Sequence, residues 1–320
     1  RLADGSKIMG AIKGRDAIYV WTDTALFLMR FVGAPFTFSF EQVGTNCGLF
    51  GKNAAVEVDG SSYWMSENGF FTYDGQLKSM PCLVEDYVYD SVNDTSRDLI
   101  NCGLNNLFGE INWFYCSEGS DVVDRVVTYN YLDSSAKQPI WTTGSLDRTA
   151  WQDSSVFNRP HATYYTPSDS DSFDVTGNTD GITIYYNQET GTDQVNAGGV
   201  VTAIQANILS GDFDITQKRS NTGQAVGTPD LRGDGEYIMR ISRFIPDFIN
   251  QTGTTQVSFT TRAYPNSTPI TTNFPIDSTT TFKSTRIRAR SIALKVSNTG
   301  SNQDWKLGTF RLDVAPGGMR

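Results

Sequence analysis

"AAVEVDGSSYWMSENGFFTYDGQL", residues 54–77, sets three turn signals, Asp59-Gly60, Asn68-Gly69 and Asp74-Gly75, among short apolar and aromatic runs. Asp-Gly and Asn-Gly supply the positive backbone angles that two-residue hairpin turns demand. Runs such as Val56-Glu57-Val58 and Tyr63-Trp64-Met65 suit half-buried strands. The stretch therefore predicts an antiparallel meander, which becomes stable only when its apolar face is covered by something else.

The pattern recurs on both sides. "AIYVWTDTALFLMRF" (17–31) offers two strand-like runs around Thr22-Asp23, and "EINWFYC" (110–116) and "RVVTYNYL" (125–132) flank a polar turn. "GITIYYN" (181–187) follows "GNTDG". Trp21, Trp64, Trp113 and Trp151 are separated by 43, 49 and 38 residues, close to the roughly 40 to 50 residues of a four-stranded propeller blade. Residues 1–200 accordingly predict a β-propeller-like domain, with a sandwich or barrel of several sheets as the competing all-β arrangement. The best helical exception is "DYVYDSVNDTSRDLINCGL" (86–104), where Val88, Val92, Leu99 and Ile100 can share a face. The chain opens at Arg1 directly into a turn and strand pattern, so upstream residues are expected and any blade count is a lower bound. No apolar run approaches the roughly 18 residues of a helical membrane span.

Charge divides the chain more sharply than composition does. Residues 1–200 hold 12 Lys and Arg against 26 Asp and Glu, a balance of −14, whereas residues 201–320 hold 14 against 9, a balance of +5. We place a domain boundary at this shift, near "NAGGVVTAI". The acidic part is not expected to seek nucleic acid, because phosphate binding is carried by Lys and Arg. "TPSDSDSFDVTGNTDG" and "TQKRSNTGQAVGTPDLRGDGE" (216–236) read as long surface loops.

The residues that could carry chemistry are few. Cys47, Cys82, Cys102 and Cys116 form no C-x-x-C pair, so they read as buried free thiols of a protein assembled in a reducing compartment. The single histidine, His161, rules out a two-histidine metal site, and a strand-like setting makes it structural. Glu110, Glu118, Asp121 and Asp124 are the carboxylates that could serve glycoside hydrolysis, which needs two placed about 5 to 10 Å apart; acidic residues around a hairpin turn are also simply solubilising. Asp169, Asp171, Asp174 and Asp180 resemble a calcium loop, but Phe173 and the missing Gly and Glu break the spacing. Arg232-Gly233-Asp234 suits a plain turn, and the N-x-[ST] triplets at Asn93, Asn250 and Asn266 matter only in a secreted eukaryotic protein.

The last 120 residues have a different texture. "DGEYIMRISRFIPDF" (234–248), "TQVSFTTRAYP" (255–265), "STRIRARSIALKVSN" (284–298) and "WKLGTFRLDVAPGG" (305–318) read as long strands, so residues 201–320 predict a β-sandwich. Arg286, Arg288 and Arg290 alternate and fall on one face of a regular strand, yet Ile292, Leu294 and Val296 continue the same parity. Either a bulge near Ser291 flips the face, or one end of the strand leaves the core. We take Arg286, Arg288, Arg290 and Arg311 as a candidate subunit or adaptor interface.

"IYVWTDTALFLMRFVGAPFTFSFEQVGTNCGLFGKNAAVEVDGSSYWMSENGFFTYDG", "EINWFY", "WTTGSLDRTAW", "RFIPDF" and the ending "TRIRARSIALKVSN...DWKLGTFRLDVAPGGMR" resemble a family of virion structural proteins of short-tailed bacteriophages, the tail hub or nozzle proteins, some described as packaged-DNA stabilisation proteins. The resemblance runs over nearly the whole chain. Its most specific parts are the Trp-Thr-Asp-Thr strand entry, the meander from Gly48 to Gly75 and the arginine-rich C-terminal strands. It implies a propeller-based subunit of a homo-oligomeric ring, expected to be a hexamer, that continues the DNA channel, retains packaged DNA and passes it at ejection. Implied partners are portal and adaptor proteins, tail fibres or spikes, and double-stranded DNA in non-specific passage. The implied place is the virion tail, assembled in the host cytoplasm, with no enzyme activity and no cofactor. Two other classes compete with this reading. A receptor- or carbohydrate-binding virion module would use Tyr63, Trp64, Tyr164 and Tyr165 to stack on sugars, and a propeller glycoside hydrolase would use the carboxylates above.

Overall fold

The computed structural model describes residues 4–135, 138–154, 157–166, 182–195, 198–215, 237–264, 266–298 and 300–319. The acidic loop carrying Asp169, Asp171, Asp174 and Asp180 and the Arg232-Gly233-Asp234 tripeptide lie outside the described residues. The protein is all-β, a propeller-like part followed by a sandwich, and contacts divide it into two compact units, Arg1–Thr190 and Gly191–Arg320. Position 200 falls inside a hairpin whose strands pair Asp193↔Ala203 and Val195↔Val201, so both sides of the charge shift belong to the second unit.

The first unit is a series of antiparallel meanders. Sheet 1 holds β1 (Ile8–Lys13), β2 (Ile18–Thr22), β3 (Ala25–Phe31) and β4 (Phe38–Thr45). Sheet 2 holds β5 (Ala55–Val58), β6 (Ser61–Ser66), β7 (Gly69–Tyr73) and β8 (Leu77–Met80). Sheet 3 holds β9 (Asn101–Asn105), β10 (Glu110–Tyr115), β11 (Arg125–Asn130) and β12 (Trp141–Gly144). Sheet 4 holds β13 (Ala150–Gln152), β14 (His161–Thr166) and β15 (Ile182–Tyr186). The first strands of successive sheets, β1, β5, β9 and β13, lie side by side, the arrangement of propeller blades around an axis.

The turns follow local chemistry. Val58 pairs with Ser61 across a two-residue loop in which Asp59 (φ 52°) and Gly60 (φ 84°) are both left-handed, as a primed turn requires. The second turn differs from expectation: Ser66 pairs with Gly69, so the loop is Glu67-Asn68, and Gly69 takes the positive φ as the first residue of β7. The third spans three residues around Gly75.

The inner strands of sheets 2 and 3, β6, β7 and β10, are covered on both faces, not half-buried. Because strand side chains alternate, Trp64 packs on Trp21 of sheet 1 while Tyr63 meets Tyr129 of sheet 3, with ring centroids 5.3 and 6.1 Å apart. Phe71 stacks on Trp64, and its neighbour Phe70 meets Trp113 and Trp141 of sheet 3. Phe114, the residue after Trp113, stacks on Trp151 of sheet 4. Trp21, Trp64 and Trp113 occupy the second strands of three sheets, so the separations of 43 and 49 residues mark a true repeat. Trp151 sits in a first strand and does not continue it. The indole N–H of Trp64 donates to the Cys47 carbonyl and that of Trp113 to the Ala54 carbonyl, at 2.8 and 2.9 Å. The segment expected to be helical over 86–104 is one α-turn (Glu85–Tyr89) and a 3-10 turn (Asp94–Leu99), capped by the Asn93 side chain on the Thr95 N–H. It is a connection between sheets, and Ile100 enters the core.

The second unit contains the hairpin β16 (Asp193–Val195) and β17 (Val201–Ala203). Its remaining strands are β18 (Asn207–Leu209), β19 (Tyr237–Ile245), β20 (Phe248–Thr252), β21 (Thr255–Arg262), β22 (Ile270–Ile276), β23 (Lys283–Ala289), β24 (Ser291–Ser297), β25 (Asp304–Leu307) and β26 (Arg311–Met319). One sheet runs β18-β24-β21-β22, the other β23-β19-β26, and β20 pairs with β25. Met239, Ile241 and Phe244 from one sheet and Val257, Phe259 and Val296 from the other fill a single core. Pro275 and Pro316 lie in β22 and β26, both edge strands, where a missing N–H costs no inner ladder bond.

Candidate functional site

The arginine ladder resolves into two parts. Along β23, Arg286 and Arg288 point outward while Ile287 and Ala289 are buried. The chain then bends at Arg290 and continues as β24 in the opposite sheet, where Ile292, Ala293 and Val296 are buried and Ile292 and Val296 join the core between the sheets. A strand that leaves one sheet of a sandwich for the other must turn its apolar face through the core. That crossing is the phase flip expected near Ser291. Arg290 itself lies over the Tyr264 ring, 5.5 Å from its centroid, and its N–H donates to the Arg262 carbonyl. It is therefore separated from the other two.

The tertiary structure supplies different companions. Arg240 on β19 stands directly opposite Arg288, and both are exposed. A register irregularity between Ile241 and Arg243 sets Arg286 beside Ser242, held by the Thr285 hydroxyl donating to the Ile241 carbonyl at 2.6 Å. Arg311, Asp313 and Ala315 are exposed on β26 of the same sheet. Arg243 pairs with Asp313 at 2.7 Å, and Arg311 reaches Asp247 at 3.9 Å. No carboxylate lies within ion-pair distance of Arg240, Arg286 or Arg288 among the described residues. Like charges directly opposite one another across strands are destabilising, and among the described residues no ion pair offsets that cost on this exposed face. Arg286 and Arg288 also border a groove of about 520 Å³ lined by Thr261, Thr272 and Phe274, where the edges of the two sheets come together. Arg240 and Arg243 were missed from sequence, although the outward positions of "YIMRISRFI" are the signal that places them.

The first unit carries a largely apolar counterpart, with Lys13 opposite Ile18 as a charged side chain on it. Ile18, Phe27, Met29 and Phe31, with Phe38 and Phe40 opposite Phe31 and Met29, fall on the face of sheet 1 turned away from Trp21 and sheet 2. Val20, Ala25 and Phe27 form a small buried cluster there. It runs out into Phe31 and Phe36, 73% and 75% exposed, and the half-exposed Phe38 and Phe40.

The candidates for chemistry are dispersed. Asp124 accepts from the Ser117 N–H and hydroxyl at 2.7 and 2.6 Å and clamps a turn. Glu110 begins β10, where burial pushes its carboxyl up. The Glu118 N–H donates to the Ser91 carbonyl. Asp121 borders a groove with Asp98, which is ion-paired to Lys52 at 2.8 Å and held low by that bond. His161 is buried, its Nδ1 bonded to the Tyr185 hydroxyl and its ring packed on Phe157. Among the described residues no group of three or more His, Cys, Asp or Glu is placed to hold a metal ion. The four thiols are unpaired, and burial pushes Cys82 and Cys116 up to about 11. Of the aromatics proposed to stack on sugars, Trp64 is wholly buried in the core, and only Tyr165 is exposed. No helix of the described residues is long and apolar enough to cross a membrane.

No family model matches the chain, and no curated protein matches it. Among solved structures, the exo-β-1,3-galactanase from Phanerochaete chrysosporium with galactose aligns at 9% identity and TM-score 0.27, covering 93% of this chain and 77% of that one. A structure described as a glycoside hydrolase aligns at 10% identity and TM-score 0.26, over 93% of this chain and 83% of that one. At such TM-scores the alignments carry no argument about function.

Proposed function

We propose that the chain is a structural subunit of a bacteriophage tail, a hub or nozzle protein that assembles into a ring with copies of itself and joins acidic neighbours such as an adaptor. The observation that carries the reading is the outer face of β23-β19-β26, where Arg240 opposes Arg288 beside Arg286 and no carboxylate answers them among the described residues. Burial against a carboxylate-bearing partner converts that cost into charge-assisted, bidentate contacts that fix register. The central strands of sheets 2 and 3, covered on both faces by neighbouring sheets, suit a load-bearing wall. An acidic first unit fits a channel that DNA passes without sticking.

The test is the triple replacement Arg240→Glu, Arg286→Glu and Arg288→Glu in the assembling virus. The subunit is expected to fold with its melting temperature lowered by at most a few degrees, because the three side chains are exposed, and to be missing from tails. Tails that incorporate the triple variant normally would overturn the proposal.

A further inference from the structure

The groove beside Arg286 and Arg288 lies along a strand edge. Among the described residues β23 pairs with β19 alone and β22 with β21 alone, so each is the edge of its sheet. An edge strand presents a row of N–H and C=O groups that no ladder partner answers. Five successive residues of β23, Ser284 to Arg288, line the groove, and no residue of β19 does. Thr261, Thr272 and Phe274 of the other sheet form the opposite wall. Phe274 and Ile287 also pack on the core between the sheets, so the groove has an apolar floor. Its outer lip carries charge of one sign, because Arg286 and Arg288 are exposed and alternate with the inward Ile287.

We infer that this groove takes an extended segment of an acidic partner protein, which adds to the free edge of β23 as a further strand and sets carboxylates at alternate positions beside Arg286 and Arg288. Three observations select that occupant. The first is spacing: side chains two apart on a strand lie about 7 Å apart on one face, so carboxylates at every second position of an added strand come level with both arginines. The second is the floor. The intervening residues of such a strand point inward, where Phe274 and Ile287 receive apolar side chains. A DNA backbone answers the arginines with phosphates, but it has no N–H groups to donate to the free carbonyls of the edge. The third is charge. A second copy of β23 added along this edge brings arginines beside arginines, which is destabilising across strands, so self-pairing is opposed and an acidic strand is favoured. Backbone hydrogen bonds then supply affinity, and the alternate side chains supply the choice of partner. This deepens the assembly reading above and rests on it for the acidic neighbour, whose contributed segment it names: acidic and apolar residues in alternation.

The experiment follows the fluorescence anisotropy of a labelled, end-blocked peptide of alternating Glu and Val, seven residues long like β23, titrated with the full 320-residue chain. Saturable binding is expected, weakened at least about tenfold by Arg286→Glu with Arg288→Glu, which removes two charge-assisted contacts. Both positions are exposed, and circular dichroism melts check that the double variant folds. That variant is expected to bind a peptide of alternating Lys and Val, which the unsubstituted chain rejects. Two N-methylated forms of the Glu peptide test the ladder, one methylated on every Glu nitrogen and the other on every Val nitrogen. Successive N–H groups of a strand point to opposite sides, so one form is expected to lose binding and the other to keep it. The inference is overturned by a Glu-Val peptide that does not bind, or by equal effects of the two methylated forms. It is also overturned by competition from oligothymidylate, or from a peptide with the same residues in two blocks, as strong as that from the alternating peptide. Any of these results, with the triple variant still missing from tails, removes the added strand and leaves the tail reading. Alternation-dependent peptide binding, with the triple variant incorporated normally, keeps the added strand and removes the tail reading.

Discussion

The two units leave different kinds of surface uncovered. The first ends in a sheet face of phenylalanines with hardly a charge on it, whereas the second exposes arginines opposed across strands. An apolar face is satisfied by any surface of matching shape that excludes water, and its association persists in salt. A row of guanidinium groups is satisfied only by anions, and screening weakens it.

The largest effects should show that the units stand on separate cores. Trp64→Ala removes a wholly buried indole, its bond to Cys47 and its contacts with Trp21 and Phe71, and should cost about 3–5 kcal/mol. Phe244→Ala, at the centre of Phe259, Phe274 and Phe310, should cost about the same in the second unit. Calorimetry should show each change moving one transition; a single transition moved by both would break the comparison. Next in size is the response to salt. Between about 0.1 M and 1 M the screening length falls from about 10 Å to about 3 Å, so binding of an acidic partner by the arginine face should weaken at least tenfold. Gly60→Ala places a methyl group at φ 84° and should cost about 1–2 kcal/mol, read by denaturant unfolding of the first unit.

The smallest effect concerns pH. Burial raises the Glu110 carboxyl above its unfolded value, so the ionised form at neutral pH is a cost of folding that is relieved as pH falls through the folded pKa. Glu110→Gln should therefore raise the melting temperature of the first unit slightly at pH 7, and the gain should shrink toward acid pH. A gain that grows on acidification would show that the carboxylate is stabilised where it lies.

Much of the fold was legible because turn chemistry and strand alternation are local. Asp59-Gly60, the tryptophans in β2, β6 and β10, and the long C-terminal strands mark their own places. The same locality explains the misses. Adjacent aromatic pairs such as Tyr63-Trp64 and Phe70-Phe71 cannot say that a sheet is covered on both sides, and the apolar positions of 86–104 served a connection instead of a helix. The candidate site was half legible: alternation placed Arg286 and Arg288 on one face, and the change of parity after Arg290 announced a crossing. That Arg240 faces Arg288 across 48 residues of chain, that Arg290 turns aside to Tyr264, and that Phe31 and Phe38 lie on an uncovered face and not in the core were decided by tertiary structure alone. Sequence fixes what each strand can offer to its two faces, because side chains alternate whatever the strand packs against. Which face is answered, and by which residues, depends on pairing between distant segments, and only the folded chain brings those together.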